Sequence, residues 1–487
     1  MVHEECGIVG IYLKNPKLSK ENFVPNSLYI MLNQLQHRGQ LSAGISVYSP
    51  GSFGDILKTS KKVGSVDELF QVQDSRDYLN YLNSMNGLAG IGHVRYATAG
   101  SRTSARDGAQ PFERRHGRLR KNFAIGFNGN LVNQDELADQ LSENGYHLNT
   151  DVDTELIMHN LSLGLNITED LFDAHKKAIE NLDGAYSIID LFASGEMFFL
   201  RDSLGFKPLV YGETEDFFAI ASESVALKKL GLSDFKIVNP SEGILFKDNK
   251  TSSNILKTSR KAYCHFEEVY FSSSFSQNLP HQSVYTSRLN LGKKLAQLED
   301  LVIDENFVVV PVPKTAITAS EAYAFELKIP LSFALEKVNG KRGFINQASD
   351  RQRIMHSGYG IHSESIKDKK VILIDDSIVR GETSKIITKL LRDAGAKEIH
   401  LRSTEPPILF PCFYGIDFPT KKELVTHVNE QNLANHIGVD SLKFMTIQGL
   451  VESLGIPENE LCLACLNGNY PTKCGQEKFE EILQNIK

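Results

Sequence analysis

VILIDDSIVRGETS, residues 371–384, decides how the second half of the chain folds. Val371 to Ile374 form a short apolar, β-branched run of the kind that makes a buried strand, and two adjacent carboxylates, Asp375 and Asp376, close it. A short loop containing Gly381 then leads into a helix expected from about Thr383. Working outward, FVVVPVP (307–313) reads as strand, TAITASEAYAFELK (315–328) as helix, SKIITKLLRDAGA (384–396) as helix and KEIHLRS (397–403) as strand. In the 384–396 helix Ile386, Ile387, Leu390 and Leu391 share one face, and Gly395 supplies the stop. Repeated strand–helix units of this kind favour an α/β domain with a parallel, doubly wound sheet. Ligands bind at the carboxyl ends of such strands, where helix-start amides and hydroxyls hold phosphate. Asp375 and Asp376 would then face a ligand's hydroxyls or a bound cation, unless they only decorate a surface turn.

The rest of the chain sets the limits. Its 487 residues suit two or three domains, and 41% hydrophobic content supplies ample core, which excludes general disorder. A net charge of -7 argues against a dedicated nucleic-acid binder. No apolar run approaches the roughly 18 residues that span a bilayer, and the start, MVHEE, has no signal-peptide pattern, so a cytoplasmic protein without membrane contact is expected. Six cysteines are too few for a disulfide scaffold. In the first half CGIVGIYL (6–13) is a short apolar strand and NSLYIMLNQLQHRG (26–39) has helical spacing up to Gly39. Strand-like patches at 89–92, 123–127, 186–191, 197–200 and 209–211 suggest stacked antiparallel sheets with helices outside. The polar KDNKTSSN (247–254) marks an expected domain boundary at 245–260. Arg114, Arg115, Arg118, Arg120 and Lys121 read as a solvated hairpin rather than an anion site.

The 371–384 segment closely resembles the signature of the phosphoribosyltransferases that use 5-phosphoribosyl 1-diphosphate (PRPP). That resemblance implies Asp375 and Asp376 on the ribose hydroxyls, Ser377, Gly381, Thr383 and Ser384 around the 5-phosphate, and Mg2+ accompanying the diphosphate, with Asp375 and Asp376 as its ligands. Near the start, Cys6 in EECGIVGIY could be a plain core cysteine. Together with QHRGQLSAGI (36–45), GHVRYATAG (92–100), FNGNL (127–131), DTE (153–155) and DGAY (183–186), it resembles the glutamine amidotransferases with an N-terminal-nucleophile fold. Joined, the two segments resemble the glutamine PRPP amidotransferase family of de novo purine synthesis along nearly the whole chain.

The resemblance implies a propeptide at 1–5, an αββα sandwich at 6–245, a type I phosphoribosyltransferase domain at 260–455, and a cluster-binding helical tail at 456–487. Removing MVHEE would free the α-amine of Cys6, whose ordinary pKa of about 7.7–8.0 suits a general base, making one residue both nucleophile and base carrier. Asn128 and Gly129 would stabilise the oxyanion, Arg95 would pair with the α-carboxylate of glutamine and Asp153 with its α-ammonium. Asp153 could also simply start a helix, and Arg95 could be a surface ion pair. His37 and His93 are read as structural, because this mechanism needs no imidazole.

Cys462 and Cys465 form CLAC, a spacing that suits metal but is weak evidence alone. With Cys264 in YCHFEEVYF and Cys412 in PPILFPCFYGID, they resemble the segments that hold a 4Fe–4S cluster in one branch of the family. A zinc site or four buried thiols remain as alternatives, and Cys474 receives no role. Departures from the family pattern all fall in the transferase half. YFSSSFS (270–276) stands where Tyr-Phe-Ala-Arg-Pro-Asp-Ser is usual, Lys314 replaces an acid before Thr315, and EKVNGKRGFI (336–345) lacks the usual Lys, Arg and Tyr of the closing loop at Glu336, Val338 and Asn339. Arg342, Phe344 and Ile345 persist, and Lys314, Lys337 and Lys341 offer compensating charge. The expected function is conversion of PRPP, glutamine and water to phosphoribosylamine, glutamate and diphosphate. The alternative is a paralogue delivering ammonia to another electrophile. Purine nucleotides as inhibitors and a homo-oligomer, tetramer or dimer, are further implications.

Overall fold

A computed structural model describes residues 6–51, 54–96, 103–258, 260–337, 358–416 and 430–484. The calls on Val338, Asn339, Lys341, Arg342, Phe344 and Ile345, and on residues 1–5, lie outside the described residues.

Two antiparallel sheets face each other in the first half. One has seven strands in the spatial order Lys236–Ile237, Val210–Glu213, Phe217–Ala221, Gly7–Leu13, Ala89–Arg95, Ser42–Tyr48 and Leu57–Val63. The other has six, in the order Lys250–Ile255, Glu242–Lys247, Met197–Arg201, Gly184–Phe192, Phe123–Leu131 and Phe112–Arg114. Ile8, Ile91, Ile189, Phe199, Phe218 and Phe246 fill the space between the sheets. Each such side chain contributes about 1.5–3 kcal/mol by leaving water. Helix Phe23–Gln34 covers the outer face of the first sheet through Val24, Leu28, Met31 and Leu32. Helix Asp153–Ile167 covers the second through Leu156, Ile157, Leu161 and Leu165. This is the expected four-layer sandwich.

The second half builds a parallel sheet from Phe307–Pro311, Lys370–Asp375, Glu398–Ser403 and Ser441–Phe444. Helices Val284–Gln297, Ile317–Leu327 and Glu382–Asp393 accompany it. All three contribute to the apolar core of this half, and the last ends at Asp393, two residues before Gly395, whose φ of +93° supplies the expected stop. Two short strands, Tyr263–Cys264 and Leu461–Cys462, pair in parallel and tie the start of this half to the tail. Among the described residues no helix is long and apolar enough to cross a membrane.

Two expectations need refining, and a third holds. KDNKTSSN is the tip and edge strand of a hairpin in the six-stranded sheet, with Asp248 and Asn249 at φ +50° and +60° in its turn. Its polarity reflects an edge strand facing water, so the sheet continues to Ile255. The 26–39 helix ends at Gln34, because the chain must then turn to lay Gly39 on the backbone of Val94 and Arg95. The basic cluster does form a hairpin, Phe112–Arg114 against Phe123–Leu131, with the Arg115 side chain 69% exposed.

Candidate active sites and the cysteine cavity

Cys6 sits directly before strand Gly7–Leu13, whose Gly7 and Ile8 pair with Val94 and His93. That register brings Arg95 to the same end of the first sheet. His93 is fully buried and its Nε2 lies 2.9 Å from the Phe127 carbonyl of the opposite sheet, locking Asn128 and Gly129 over this end. Burial pushes the His93 imidazole down to about 3, so it stays neutral. Asn128 is 1% exposed, and its Nδ2 has no hydrogen-bond partner among the described residues. Gly129 is obligatory for packing: a Cβ there would run into the Ala185 carbonyl and the Tyr186 backbone. The buried Arg95 guanidinium lies against Gly108, where a Cβ would collide with it. It is no surface ion pair.

Asp153 does start helix Asp153–Ile167, but it has a second task. Its Oδ2 accepts the Leu131 amide at 2.8 Å, two residues beyond Gly129, while Oδ1 is buried without a partner among the described residues. Burial lifts this carboxyl to about 7, the Leu131 amide opposing and Asp151 adding. An incoming cationic group would favour the ionised form of such an acid. Beside it lies an open cleft of about 870 Å3 lined by Lys61, Thr103, Arg106, Thr150 and Asp151 among others.

In the second half Asp375 ends strand Lys370–Asp375 and Asp376 begins the loop, both nearly buried at 6% and 8% exposure. Burial and the neighbouring Asp376 hold Asp375 well above the carboxylate range, with the Asp376 amide and Ser384 opposing. Asp376 is also raised by burial, against Ser377 and Arg288. Ser377 Oγ donates to Asp376 at 3.0 Å, and the Thr404 hydroxyl donates to the Asp376 carbonyl at 3.1 Å. Gly381 has φ +71° and caps helix Glu382–Asp393, whose first turn carries Thr383 and Ser384. Tyr359 is pushed up to about 12 by burial and then by the charges of Asp375 and Asp376.

Cys264, Cys412, Cys462 and Cys465 line one small enclosed cavity together with His265, Lys207 and Tyr414. Cys264 and Cys462 are direct partners in the parallel ladder, and the Cys412 sulfur accepts the Tyr414 amide at 3.3 Å. Burial pushes the Cys462 thiol up to about 12 and those of Cys264 and Cys465 well above the ordinary value, the neighbouring sulfurs adding to it. Among the described residues no three His, Cys, Asp or Glu side chains are gathered tightly enough to hold a single metal ion.

The Glutamine amidotransferase domain family matches residues 93–229, and the Phosphoribosyl transferase domain family matches residues 284–403. An amidophosphoribosyltransferase of Methanothermobacter thermautotrophicus is 36% identical, over 97% of this chain and 95% of that protein. The Bacillus subtilis amidophosphoribosyltransferase is 34% identical over 100% of this chain and 97% of its own length. The chain belongs to the amidophosphoribosyltransferases. A solved structure of the allosteric regulatory enzyme of purine biosynthesis superposes with a TM-score of 0.84 at 33% identity, covering 96% of this chain and 97% of that one. The glutamine PRPP amidotransferase of B. subtilis complexed with ADP and GMP superposes with a TM-score of 0.83 at 32% identity, covering 96% and 98%. Membership makes this amidophosphoribosyltransferase a two-domain enzyme of glutamine amidotransferase and pentosyltransferase class, as expected.

Sequence reasoning passed over Arg38 and the charged residues around it. Arg38, 1% exposed, donates from Nε to the Cys6 carbonyl at 3.0 Å, and from its Nη atoms to Glu223 at 2.7 Å and Glu267 at 2.8 Å. His37, read as structural, bonds Glu223 at 2.8 Å. Two acids inside the apolar run YCHFEEVYF were the available signal, since charges in such a run need buried partners.

Proposed function

We propose that this amidophosphoribosyltransferase hydrolyses glutamine at Cys6 and uses the ammonia to displace diphosphate from C1 of PRPP, giving phosphoribosylamine, glutamate and diphosphate. The observation that carries the glutamine step is the buried, unpartnered Nδ2 of Asn128 beside Gly129, at the same end of the sandwich as Cys6. A donor held dry in advance is worth most where negative charge develops. In this reading the Cys6 sulfur attacks the side-chain amide carbon and the thiol proton passes to the α-amine freed when residues 1–5 are removed. The oxyanion takes hydrogen bonds from Asn128 Nδ2 and the Gly129 amide. The α-amine returns its proton to the leaving ammonia, and water then hydrolyses the thioester. Arg95 holds the α-carboxylate and Asp153 Oδ1 the α-ammonium, whose charge offsets the cost of ionising Asp153.

In the transferase half Asp375 and Asp376 would receive the ribose hydroxyls, with Ser377, Gly381, Thr383 and Ser384 around the 5-phosphate. Two adjacent buried carboxylates, Asp376 raising Asp375, suit a hard divalent cation, and we assign Mg2+ there, where it would neutralise charge on the diphosphate. Full-length relationship to amidophosphoribosyltransferases favours PRPP over another electrophile. For the cysteine cavity we infer a 4Fe–4S cluster. Four thiols from three distant segments line one small cavity beside the buried Lys207, and four thiolates are the ligand set such a cluster takes. Its contribution would be a structural staple. The B. subtilis relative complexed with ADP and GMP supports purine nucleotides as regulators here. We also propose a cytoplasmic homo-oligomer, tetramer or dimer, and a division at about 245–260 between glutamine and transferase halves.

Three measurements test this reading. Amide-labelled glutamine and PRPP should give labelled phosphoribosylamine, and its absence would favour the paralogue. Mass analysis of the purified chain should show Cys6 as the first residue. Iron and sulfide content near four each per chain, lost in Cys264→Ser, checks the cluster against zinc.

A further inference from the structure

Cys264, Cys412, Cys462 and Cys465 come from three segments, and one imidazole ties the three together. His265 follows Cys264 directly and is 1% exposed. Its Nδ1 lies 2.8 Å from the Cys462 carbonyl, and its Nε2 lies 2.6 Å from Oε1 of the fully buried Glu405. A carbonyl oxygen can only accept, so Nδ1 carries a proton and donates it, while Nε2 and the carboxyl share a second hydrogen bond. Both ring nitrogens are thereby engaged, and neither is left to bind a metal. Glu405 opens the stretch EPPILFPC, which ends in Cys412. Its amide and carbonyl both bond the Ser403 hydroxyl, at 3.2 and 2.8 Å. Further along the stretch the Leu409 and Phe410 amides donate to the Cys465 carbonyl at 2.9 and 3.0 Å, and the Pro411 carbonyl accepts the Tyr470 hydroxyl at 2.5 Å. None of these bonds uses a sulfur atom, so the chain's own polar groups bring the four thiols to one cavity. The glutamine and transferase steps proposed above use neither His265 nor Glu405.

We propose that the His265–Glu405 pair is a latch: it assembles the four-cysteine cavity and sets how long an iron–sulfur group stays there. The inference rests on the assignment of a 4Fe–4S cluster to these thiols. A cluster is kept only while its thiolates point inward together, and a ligand that swings away opens an iron to solvent and to chelators. Cys264 is the ring's neighbour in the chain, Cys462 carries the carbonyl the ring grips, and Glu405 anchors the stretch that delivers Cys412 and is pinned to Cys465. Freeing the ring therefore loosens all three segments at once. Groups that orient metal ligands without touching the metal are worth about 10–100-fold in affinity. Glu405 Oε2 has no partner among the described residues, so losing the imidazole alone strands a buried acid. Losing both partners does not, because a buried ion pair exchanged for apolar side chains of similar volume often leaves stability equal or higher. His265 and Glu405 are thus positioning residues whose loss is felt in the lifetime of the cluster rather than in the folding of the domain.

The test uses the full-length, cluster-loaded enzyme. It reads the rate of iron release to an excess of ferrous chelator, the visible circular dichroism of the cluster, the thermal midpoint, and peptide-mapped alkylation of the four cysteines by iodoacetamide after the iron is stripped. His265→Phe combined with Glu405→Leu removes both partners and strands no charge. This double variant is expected to melt close to wild type, yet to release iron about tenfold faster or more, to change the circular dichroism, and to alkylate Cys264, Cys412, Cys462 and Cys465 about tenfold faster. Release and alkylation at the wild-type rates would overturn the proposal. So would a midpoint that falls in step with the release rate, which makes the pair a prop of the fold, or stripped wild-type thiols that react as fast as in urea. If wild type binds no iron, the cluster assignment itself fails, and the alkylation rates of wild type and double variant still decide whether the pair assembles the cavity. If the double variant does not fold, Glu405→Gln decides, since it keeps the volume and weakens the grip on the ring: faster release supports the latch, and release at the wild-type rate refutes it.

Discussion

Replacing Asp153 by asparagine is expected to stabilise the ligand-free enzyme while damaging glutamine use, and the two effects have opposite pH dependence. Burial lifts the Asp153 carboxyl from 3.8 to about 7. The unfolded chain ionises this group above about 4 and the folded one only above about 7, so between those values the folded state holds the extra proton. Stability therefore falls as pH rises through that window and stays reduced above it. At about 1.4 kcal/mol per tenfold, the ceiling of the penalty is about 4 kcal/mol. Asparagine has no charge to desolvate and keeps an oxygen for the Leu131 amide. Its NH2 replaces the vacant Oδ1, and burying that donor unpaired takes back about 1–3 kcal/mol. The net gain is about 1–3 kcal/mol at pH 8 and close to nothing at pH 5. Urea midpoints of the two apo proteins at pH 5, 6.5 and 8 measure it. A midpoint difference that does not change with pH would refute the reasoning. Glutamine's ammonium needs the ionised carboxylate, so the wild-type KM should rise up to about tenfold per pH unit below 7, whereas Asp153→Asn should bind about 10²-fold more weakly with no such slope.

Gly129→Ala pushes a Cβ against the Ala185 carbonyl and the Tyr186 backbone, which cannot rotate away, so the strand must shift and carry the Asn128 donor with it. Glutaminase kcat should fall about 10²-fold or more with the melting curve still cooperative; normal turnover would remove Gly129 from the site. Asp375→Asn should abolish phosphoribosylamine formation and PRPP binding but spare PRPP-independent glutaminase activity, read by product analysis and titration calorimetry. Its loss of both activities together would argue that the acidic pair is structural. Glu299→Gln removes the charge that two hydrogen bonds, at 2.6 and 3.0 Å, give to Arg402, a residue 1% exposed. An uncompensated buried guanidinium costs about 3–5 kcal/mol, so the urea midpoint should drop clearly with catalytic constants of the surviving folded enzyme unchanged.

What the sequence made legible was whatever short-range pattern dictates. Val371–Ile374 and the helix after Gly381 declare themselves because strand length, β-branching and a glycine cap are local signals, and the structure places that strand and helix where they were read. Helix 26–39 was read too long because its end is set elsewhere: Gly39 must lie on the Arg95 backbone, a contact across 56 positions of chain. KDNKTSSN gave a true turn signal, but an edge strand and a linker look alike in composition, since both leave polar side chains in water. The four cysteines could be listed from the chain, yet only the parallel pairing of Tyr263–Cys264 with Leu461–Cys462 brings the first and the CLAC pair side by side. Arg38 and Glu267 stayed invisible for the same reason, their partners being 32 and 229 positions away.

The buried acids of this protein divide by the company they keep. Glu223 shares Arg38 and Glu299 holds Arg402; both sit below the carboxylate range, because although burial alone would raise them, their cationic neighbours and hydrogen bonds prevail. Asp153, Asp375 and Asp376 are as deeply buried, yet sit above it, because the opposing donors they have, amides, hydroxyls and at Asp376 the charge of Arg288, do not offset burial. Each such acid costs stability at neutral pH when it must ionise. In the reading proposed above, the balancing charge comes from the ammonium of glutamine in one half and from a divalent cation with its phosphosugar in the other. Glu268 meets the same criterion, raised to about 7 by burial with one oxygen lacking a partner among the described residues. Its other oxygen accepts the Ser287 hydroxyl at 3.1 Å, and its carbonyl accepts Arg288 Nε at 3.0 Å, so this acid is held by the first helix of the second half.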